Sequence, residues 1–597
     1  MTEDKTFIVK NNNSKYIIVI PQSCAEFIED SAKDFSELLE KATGAKFAIK
    51  TDAEIENWNE NCEIFSFGFT TCLKQAGVAC ATLNLGGSGF LIKTVGKSVF
   101  VTGATEHAYG TMCGVYELLN QLIDFEPFGV DCIHYNHVDD LLLKEFDMVD
   151  VPDIEYRLDP VCEIYGYRAK NRQRFISFEE LVVDVPNYGW GHNSLGYAEP
   201  KTYREEHPEW YNAAGTQLSL TASGNEESRK QLMNVIFNSI VQFLSDNPSK
   251  KHIVIAHQDS PQLSPHDREY AIKKYGCLSG LWIEVCNELQ TRLTEYYAEH
   301  NIQREVKILF YAYVITQDPP VKRNKHGEYE PTIKAVKNVG CVFCPIHMHQ
   351  GEPLNHEKNK VDKLRLENWK LVSDDVWLWV YNACYYDYIY PRYGFDAVAG
   401  SIRFAKELGV PTYFEQGQTG NHRAYNFGEL QNYLKCKLGW NTKLDENILI
   451  DVWFEHYFDI AQAPMRAYFE ALKENYRKVT QENDLIMRCD MMEYKNYKCM
   501  PKDLIDKGLG LIQQALIAIE YYKDSDPVKY EHLYKRIVTE RFSLLYAIMY
   551  TYKFDYSEAY VTAIRKRIKE DGDFIGVTNW REGFDRNIQD LWDEWNV

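Results

Sequence analysis

From about residue 151 to residue 440 the chain repeats one pattern: a short apolar run, then a longer segment with helical spacing. Parallel strands joined by crossover helices leave this signature, because strands covered by helices read as near-continuous apolar runs. Runs at Ile253–Ala256, Ile308–Val314, Val339–Ile346, Val376–Val380 and Pro411–Phe414, with weaker ones at Glu155–Leu158 and Val182–Val185, predict an α/β chain built on a (β/α)8 TIM-type barrel or a close variant. In such a barrel the active site lies at the C-terminal ends of the strands, so the polar residues just after each run become the candidates.

The flanks read differently. The apolar run around residues 16 to 21, the amphipathic stretch Ala25 to Ala42 closed by Gly44, a hairpin from Phe90–Lys93 to Ser98–Thr102 and a helix from Thr105 to Leu122 predict a small α/β domain over 1–150. Beyond the barrel at 151–440, segments such as Glu446 to Tyr476 and Leu504 to Tyr521 carry apolar residues at helical spacing, which predicts a helical domain over 441–597.

Charge and composition narrow the function. With 66 Lys+Arg against 87 Asp+Glu the formal charge is −21, a field that repels phosphate backbones and anionic lipid, so neither nucleic acid nor membrane is an expected partner. No stretch approaches a membrane span, and the start shows no basic-then-apolar leader, so the expectation is a cytoplasmic protein. Fifteen scattered cysteines fit reduced thiols. The 41 Tyr, 29 Phe and 12 Trp supply flat faces that stack on sugar rings, although most must serve as core.

Taken in order, the strand ends offer His257-Gln258-Asp259, Tyr313, His347 and His349, Trp379-Val380-Tyr381-Asn382, and Glu415-Gln416-Gly417-Gln418. Converging in one barrel, they would make a cleft of carboxylates, imidazoles, amides and aromatics, as in a glycosidase, where two carboxyl groups flank the scissile bond. Asp259 and Glu415 are the carboxylates expected to act. His257, Tyr313, His347, His349, Trp379, Tyr381, Asn382 and Gln418 are the expected substrate contacts. Asp259 has the alternative of capping or turning into the next helix, and Trp379 and Tyr381 the alternative of core packing. His347 and His349 face one way if both lie on a strand, but no second ligand pair stands at a standard spacing, so no metal is expected. Cys341-Val342-Phe343-Cys344 reads as buried thiols on a strand. No cofactor is called for, since neither a phosphate-binding nor a dinucleotide-binding fingerprint follows a strand.

Two groups of motifs resemble known families. Thr102-Gly103-Ala104-Thr105, Tyr109-Gly110 and Gly114-Val115-Tyr116-Glu117-Leu118-Leu119 resemble the end of the accessory domain that precedes the barrels of α-glucuronidases and β-hexosaminidases. His207-Pro208-Glu209-Trp210-Tyr211, the strand ending at Asp259, Tyr311-Ala312-Tyr313, Pro319-Pro320, Glu415-Gln416-Gly417 and Tyr433 to Asn441 are similar in order and spacing to a bacterial domain of unknown function. Characterised relatives of that domain include endo-β-N-acetylglucosaminidases. The resemblance implies a retaining, substrate-assisted mechanism on N-acetylglucosamine-containing glycans, with Glu415 as acid/base and Asp259 orienting the 2-acetamido group. Relatives acting on glycoproteins are exported, so a cytoplasmic copy would process imported oligosaccharides. Two alternatives stay open: an inverting exo-hydrolase of a uronic acid or another sugar, and a carbohydrate-binding barrel without catalysis.

Overall fold

The computed structural model describes residues 6–80, 82–106, 108–158, 170–171, 191–417, 426–483, 485–490, 498–582 and 587–596. In the N-terminal part, strands β1 (Ile17–Ile20), β2 (Ile49–Thr51), β3 (Ile64–Phe67), β4 (Phe90–Val95), β5 (Ser98–Thr102) and β6 (Asp147–Asp150) form one sheet in the order β6-β4-β5-β3-β1-β2. The β4–β5 hairpin is present, antiparallel from Leu91 opposite Thr102 to Val95 opposite Ser98. Helix α1 (Glu26–Thr43) ends at Gly44, whose φ of 74° is the left-handed conformation that a side chain rarely adopts. A later helix, α2 (Gly110–Ile123), starts further along than its apolar spacing suggests, and the Gly103 N–H before it donates to the Thr111 hydroxyl. Both helices bury one face against the sheet, around Phe35, Leu39, Val115 and Leu119.

A second sheet holds β7 (Tyr156–Leu158), β8 (His252–Val254), β9 (Lys307–Tyr313), β10 (Val339–Cys344), β11 (Asp375–Tyr381) and β12 (Thr412–Gln416), all parallel, in the order β7-β12-β11-β10-β9-β8. Five of the six follow the five clear apolar runs of the sequence, and β7 follows one of the weaker two; Val182–Val185 lies outside the described residues. Among the described residues this sheet is a curled half-barrel of six strands. The curl brings the two edges together: Tyr156 on β7 and His252 on β8 have ring centroids 6.3 Å apart, and both rings lean on Trp377 of β11. Helices Glu226–Asp246, Ser279–Glu299, Lys360–Val372, Phe395–Glu407 and Gly428–Trp440 follow β7, β8, β10, β11 and β12, whereas β9 and β10 are joined through a short hairpin, Val321–Arg323 with Tyr329–Pro331.

Successive side chains on a strand point to opposite faces, and here the two faces have separate cores. Ile253, Ile308, Phe310, Cys341, Phe343, Val376, Leu378 and Tyr413 face outward into the helices. Val254, Leu309, Tyr311, Val342, Cys344, Trp377, Trp379, Tyr381 and Phe414 fill the concave face.

The C-terminal part is helical as the spacing indicates: Glu446–Phe458, Gln462–Asn483, Lys502–Ile519, Pro527–Ala547, Glu558–Ile575 and Ile588–Trp595. The apolar stretch from Glu446 is cut at Asp459, whose φ of 50° ends the first helix. These helices continue the outward-facing core of the parallel sheet as far as Trp592 and Trp595. Arg536 ties them to Asp131 at 3.0 Å. Trp440 ties the parallel sheet to the N-terminal one, stacking on Phe90 and donating its indole N–H to Asp150.

Candidate active site

At the C-terminal ends of β9 to β12 lies a cavity of about 450 Å³. Its floor is the concave face continued upward by strand parity: Tyr311 and Tyr313 from β9, Cys344 from β10, Trp379 and Tyr381 from β11, and Gln416 from β12. Trp379 meets Tyr311 edge-on at 5.7 Å and Phe414 at 4.2 Å, and its indole N–H donates to Gln416 Oε1 at 3.1 Å. Held on three sides, the Trp379 ring has a fixed orientation in the cavity floor.

The cavity's remaining polar groups come from loops. Asp259 follows β8 and is exposed toward the opening; the next helix, Pro265–Tyr275, begins six residues later behind Ser264, so Asp259 is not its cap. Burial and the adjacent Asp259 carboxylate hold the Tyr313 phenol far above its ordinary value. His192 enters from the segment before β8, its Nδ1 2.6 Å from the carbonyl oxygen of His257. Gly191 before it has φ of 75°, and a Cβ there would stand 2.4 Å from the Tyr311 hydroxyl, so only glycine lets the loop settle on that ring.

Three further charged groups arrive from the helical C-terminal part. Glu582 and Arg581 sit on a loop pinned to the end of β11: the Glu582 N–H donates to Tyr385 O, and the Tyr388 N–H to Trp580 O, each at 2.9 Å. Burial, reinforced by the Asp259 charge, pushes the Glu582 carboxyl above its ordinary value. Asp490 lies on a stretch held by the loops after β10 and β11, with the Gln350 N–H donating to Met487 O and the Tyr385 N–H to Cys489 O. Arg488 grips Asp490 through two hydrogen bonds of 2.9 and 2.7 Å. Against the upward push of burial, this guanidinium holds the Asp490 carboxyl below the usual range.

Of the residues expected from the sequence, Asp259, Tyr313, Trp379 and Tyr381 line the cavity. Glu415 does not. It alternates with Phe414 and Gln416, so its side chain leaves the sheet on the outer face, 3% exposed. There it accepts hydrogen bonds from Asn382, Tyr413 and Gln431 and sits 3.7 Å from the Lys435 ammonium. Its expected place beside Asp259 in one cleft is corrected by that parity, and Asn382 moves with it, joining Glu415 to Arg392. His257 is buried under Tyr313, with Nε2 3.1 Å from the Tyr313 carbonyl; burial lowers its pKa to about 4, so it supports the floor as a neutral ring. His347 and His349 lie beyond the end of β10 rather than on it. His347 takes a hydrogen bond from Arg488, and His349 is buried between the Met487 backbone and the Tyr476 hydroxyl. Gln418 lies outside the described residues.

Cys341 faces the outer core and Cys344 the cavity, and burial raises both thiols far above their ordinary value. Among the described residues no group of three or more His, Cys, Asp or Glu is arranged to hold a metal ion, and no helix is long and apolar enough to cross a membrane.

Gln416 was within reach of sequence reasoning through the period-two alternation with Trp379 and Tyr381 across the sheet. Glu582, Arg581 and Asp490 carry no local signal, because they belong to loops between helices that fold back over a sheet formed far earlier in the chain.

No curated protein matches the sequence. Among solved structures, a family GH115 4-O-methyl-α-glucuronidase with specificity for decorated arabinogalactans shares the fold, with a TM-score of 0.56 and 11% identity over 96% of this chain and 77% of that one. A chitobiase of Flavobacterium johnsoniae aligns at a TM-score of 0.39 with 11% identity, over 96% of this chain and 97% of that one. The GH20 β-N-acetylhexosaminidase from Streptomyces coelicolor A3(2) aligns at 0.38 with 12% identity, over 75% and 91%. All three are glycoside hydrolases. Residues 131–471, more than half of the chain and all of the parallel sheet, match the family described as "Domain of unknown function (DUF4838)", and the chain belongs to that family.

Proposed function

We propose that the protein is a glycoside hydrolase acting on N-acetylglucosamine-containing glycans, with Glu582 as acid/base and Asp259 as its partner. The observation that carries this reading is the pair itself. Two carboxyl groups meet in an aromatic cavity at the C-terminal ends of parallel strands, and burial plus the charge of Asp259 favour the proton on Glu582. A carboxyl whose proton affinity is raised in this way suits the role of donor to a leaving oxygen.

In a retaining, substrate-assisted reaction the 2-acetamido oxygen attacks the anomeric carbon while the glycosidic bond breaks and Glu582 protonates the departing oxygen. Asp259 accepts the acetamido N–H and steadies the positive charge of the cyclic intermediate. Glu582, now ionised, takes a proton from the water that reopens the ring. The Trp379, Tyr311 and Tyr381 faces supply an apolar wall for the sugar and the acetamido methyl.

Arg581 favours a second reading. A guanidinium lining the same cavity suits the carboxylate of a uronic acid, and the two carboxyl groups would then act as an inverting pair around a water molecule. Incubation with N-glycans, aryl N-acetylglucosaminides and uronic-acid oligosaccharides, with products followed by mass spectrometry and the anomer of the first product by NMR, separates the two. A β-configured product from an N-acetylglucosaminide supports the first, and an inverted product from a uronide supports the second. Sugar binding without any product would leave a lectin-like barrel instead.

A further inference from the structure

Glu582 and Asp259 leave the third carboxylate of the cavity, Asp490, without a role. Its setting differs from theirs in kind. Arg488 holds it in a bidentate fork, and the same guanidinium reaches His347 Nδ1 at 2.8 Å, so the imidazole accepts there and the fork is fixed from both ends. Burial and the Arg488 charge outweigh the pull of Asp490 and lower the His347 pKa, which favours the neutral ring. The backbone under the pair is equally fixed. The Met487 N–H donates to His349 Nδ1 at 3.0 Å, and the Cys489 thiol donates to Ile346 O at 3.3 Å. The Asp490 side chain keeps 30% of its surface open, on the wall of the cavity.

An acceptor that is ionised, immobilised and partly open has little capacity to move protons, since its guanidinium partner opposes protonation. It has high capacity to accept hydrogen bonds from neutral donors, because charged acceptors form the stronger bonds and a fixed one loses little entropy on binding. We propose that Asp490 is a specificity-determining residue that accepts hydrogen bonds from ring hydroxyls of a neutral sugar, with Arg488 and His347 as the positioning residues that hold it. This rests on the N-acetylglucosaminide reading of the cavity. A sugar carrying a carboxylate at the same ring position is repelled by Asp490, so the residue also sets which sugar that part of the cavity accepts.

The test is a binding cycle on the full chain, with methyl N-acetyl-β-glucosaminide and its monodeoxy forms titrated by calorimetry into the parent protein, Asp490→Asn and Arg488→Lys. In the parent, one deoxy form is expected to bind at least about tenfold more weakly than the intact sugar. In Asp490→Asn the intact sugar is expected to lose about as much, and the same deoxy form to lose little more. Arg488→Lys, which keeps the charge but not the fork, should fall between the two. With an aryl N-acetylglucosaminide, the Asp490→Asn effect should appear in KM with kcat changed less than about threefold. Unchanged affinity in Asp490→Asn overturns the inference while leaving the hydrolase reading in place. A collapse of kcat at constant KM overturns it in favour of a catalytic carboxylate. Failure of the parent to bind any N-acetylglucosaminide overturns the reading and the inference together.

Discussion

Glu415 and Gln416 are neighbours on the last strand of the parallel sheet and serve opposite sides of the molecule. Gln416 faces the concave side, where its amide oxygen holds Trp379 in the cavity floor. Glu415 faces the helices, where it is enclosed with Lys435, itself 3% exposed. The inner side gathers charged groups that keep access to solvent and have unlike proton affinities, with Glu582 raised and Asp490 lowered. Charge on the outer side is enclosed and matched, as at Arg541 with Asp571 and Arg536 with Asp131. A carboxylate at a strand tip is therefore a candidate for chemistry only once its face is known, and one residue of register decides the face.

Substitutions on the two faces should fail in different ways. On the inner face, Asp259→Asn should lower kcat by about 10²- to 10³-fold with the unfolding midpoint within a degree or two of the parent, measured by steady-state kinetics beside a thermal melt. On the outer face, Glu415→Leu removes the carboxylate that the buried Lys435 ammonium faces at 3.7 Å and should cost roughly 3 kcal/mol of stability by denaturant unfolding, with any loss of turnover following the loss of folded protein. A smaller inner-face effect is expected from Trp379→Ala: ligand affinity reduced by about 1–2 kcal/mol through the missing plate, read by calorimetry.

Glu540 is buried among the helices, accepts the Phe427 N–H at 2.9 Å, and burial raises its pKa to about 8. The folded state thus holds a proton that the unfolded chain releases near pH 4.5. Stability from this group is fully present below that value and declines as the pH rises through about 8, by at most about 1.4 kcal/mol per unit. Glu540→Gln should flatten that decline without moving the pH–rate profile, which the inner-face carboxyls set. A profile that shifts with Glu540→Gln would contradict the separation of the two faces.

The sequence carried the sheet well because apolar runs such as Val376–Val380 are local signals, and the outward and inward cores both draw on them. Spacing reports strands and helices one at a time and does not report closure; β9 and β10 pair without an intervening α-helix, and no strand follows β12 among the described residues. The aromatic floor was legible from the alternation of Trp377, Trp379 and Tyr381. Glu415 does not line the cavity because it alternates with Phe414, which lies on the inner face of the same strand. Glu582 and Asp490 were beyond reach, since their positions depend on backbone contacts to Tyr385 and Gln350 that link segments 100 or more residues apart.

Turnover of Glu582→Gln and Glu415→Gln, measured side by side on whichever glycan the parent cleaves, decides whether the reacting carboxyl is Glu582, brought to the inner face by the C-terminal loop. Glu582→Gln is predicted to lose about 10³-fold in kcat while still binding the sugar, and Glu415→Gln to keep kcat within about tenfold of the parent. The reverse order, with Glu415→Gln inactive yet folded and Glu582→Gln active, would return the chemistry to the outer face.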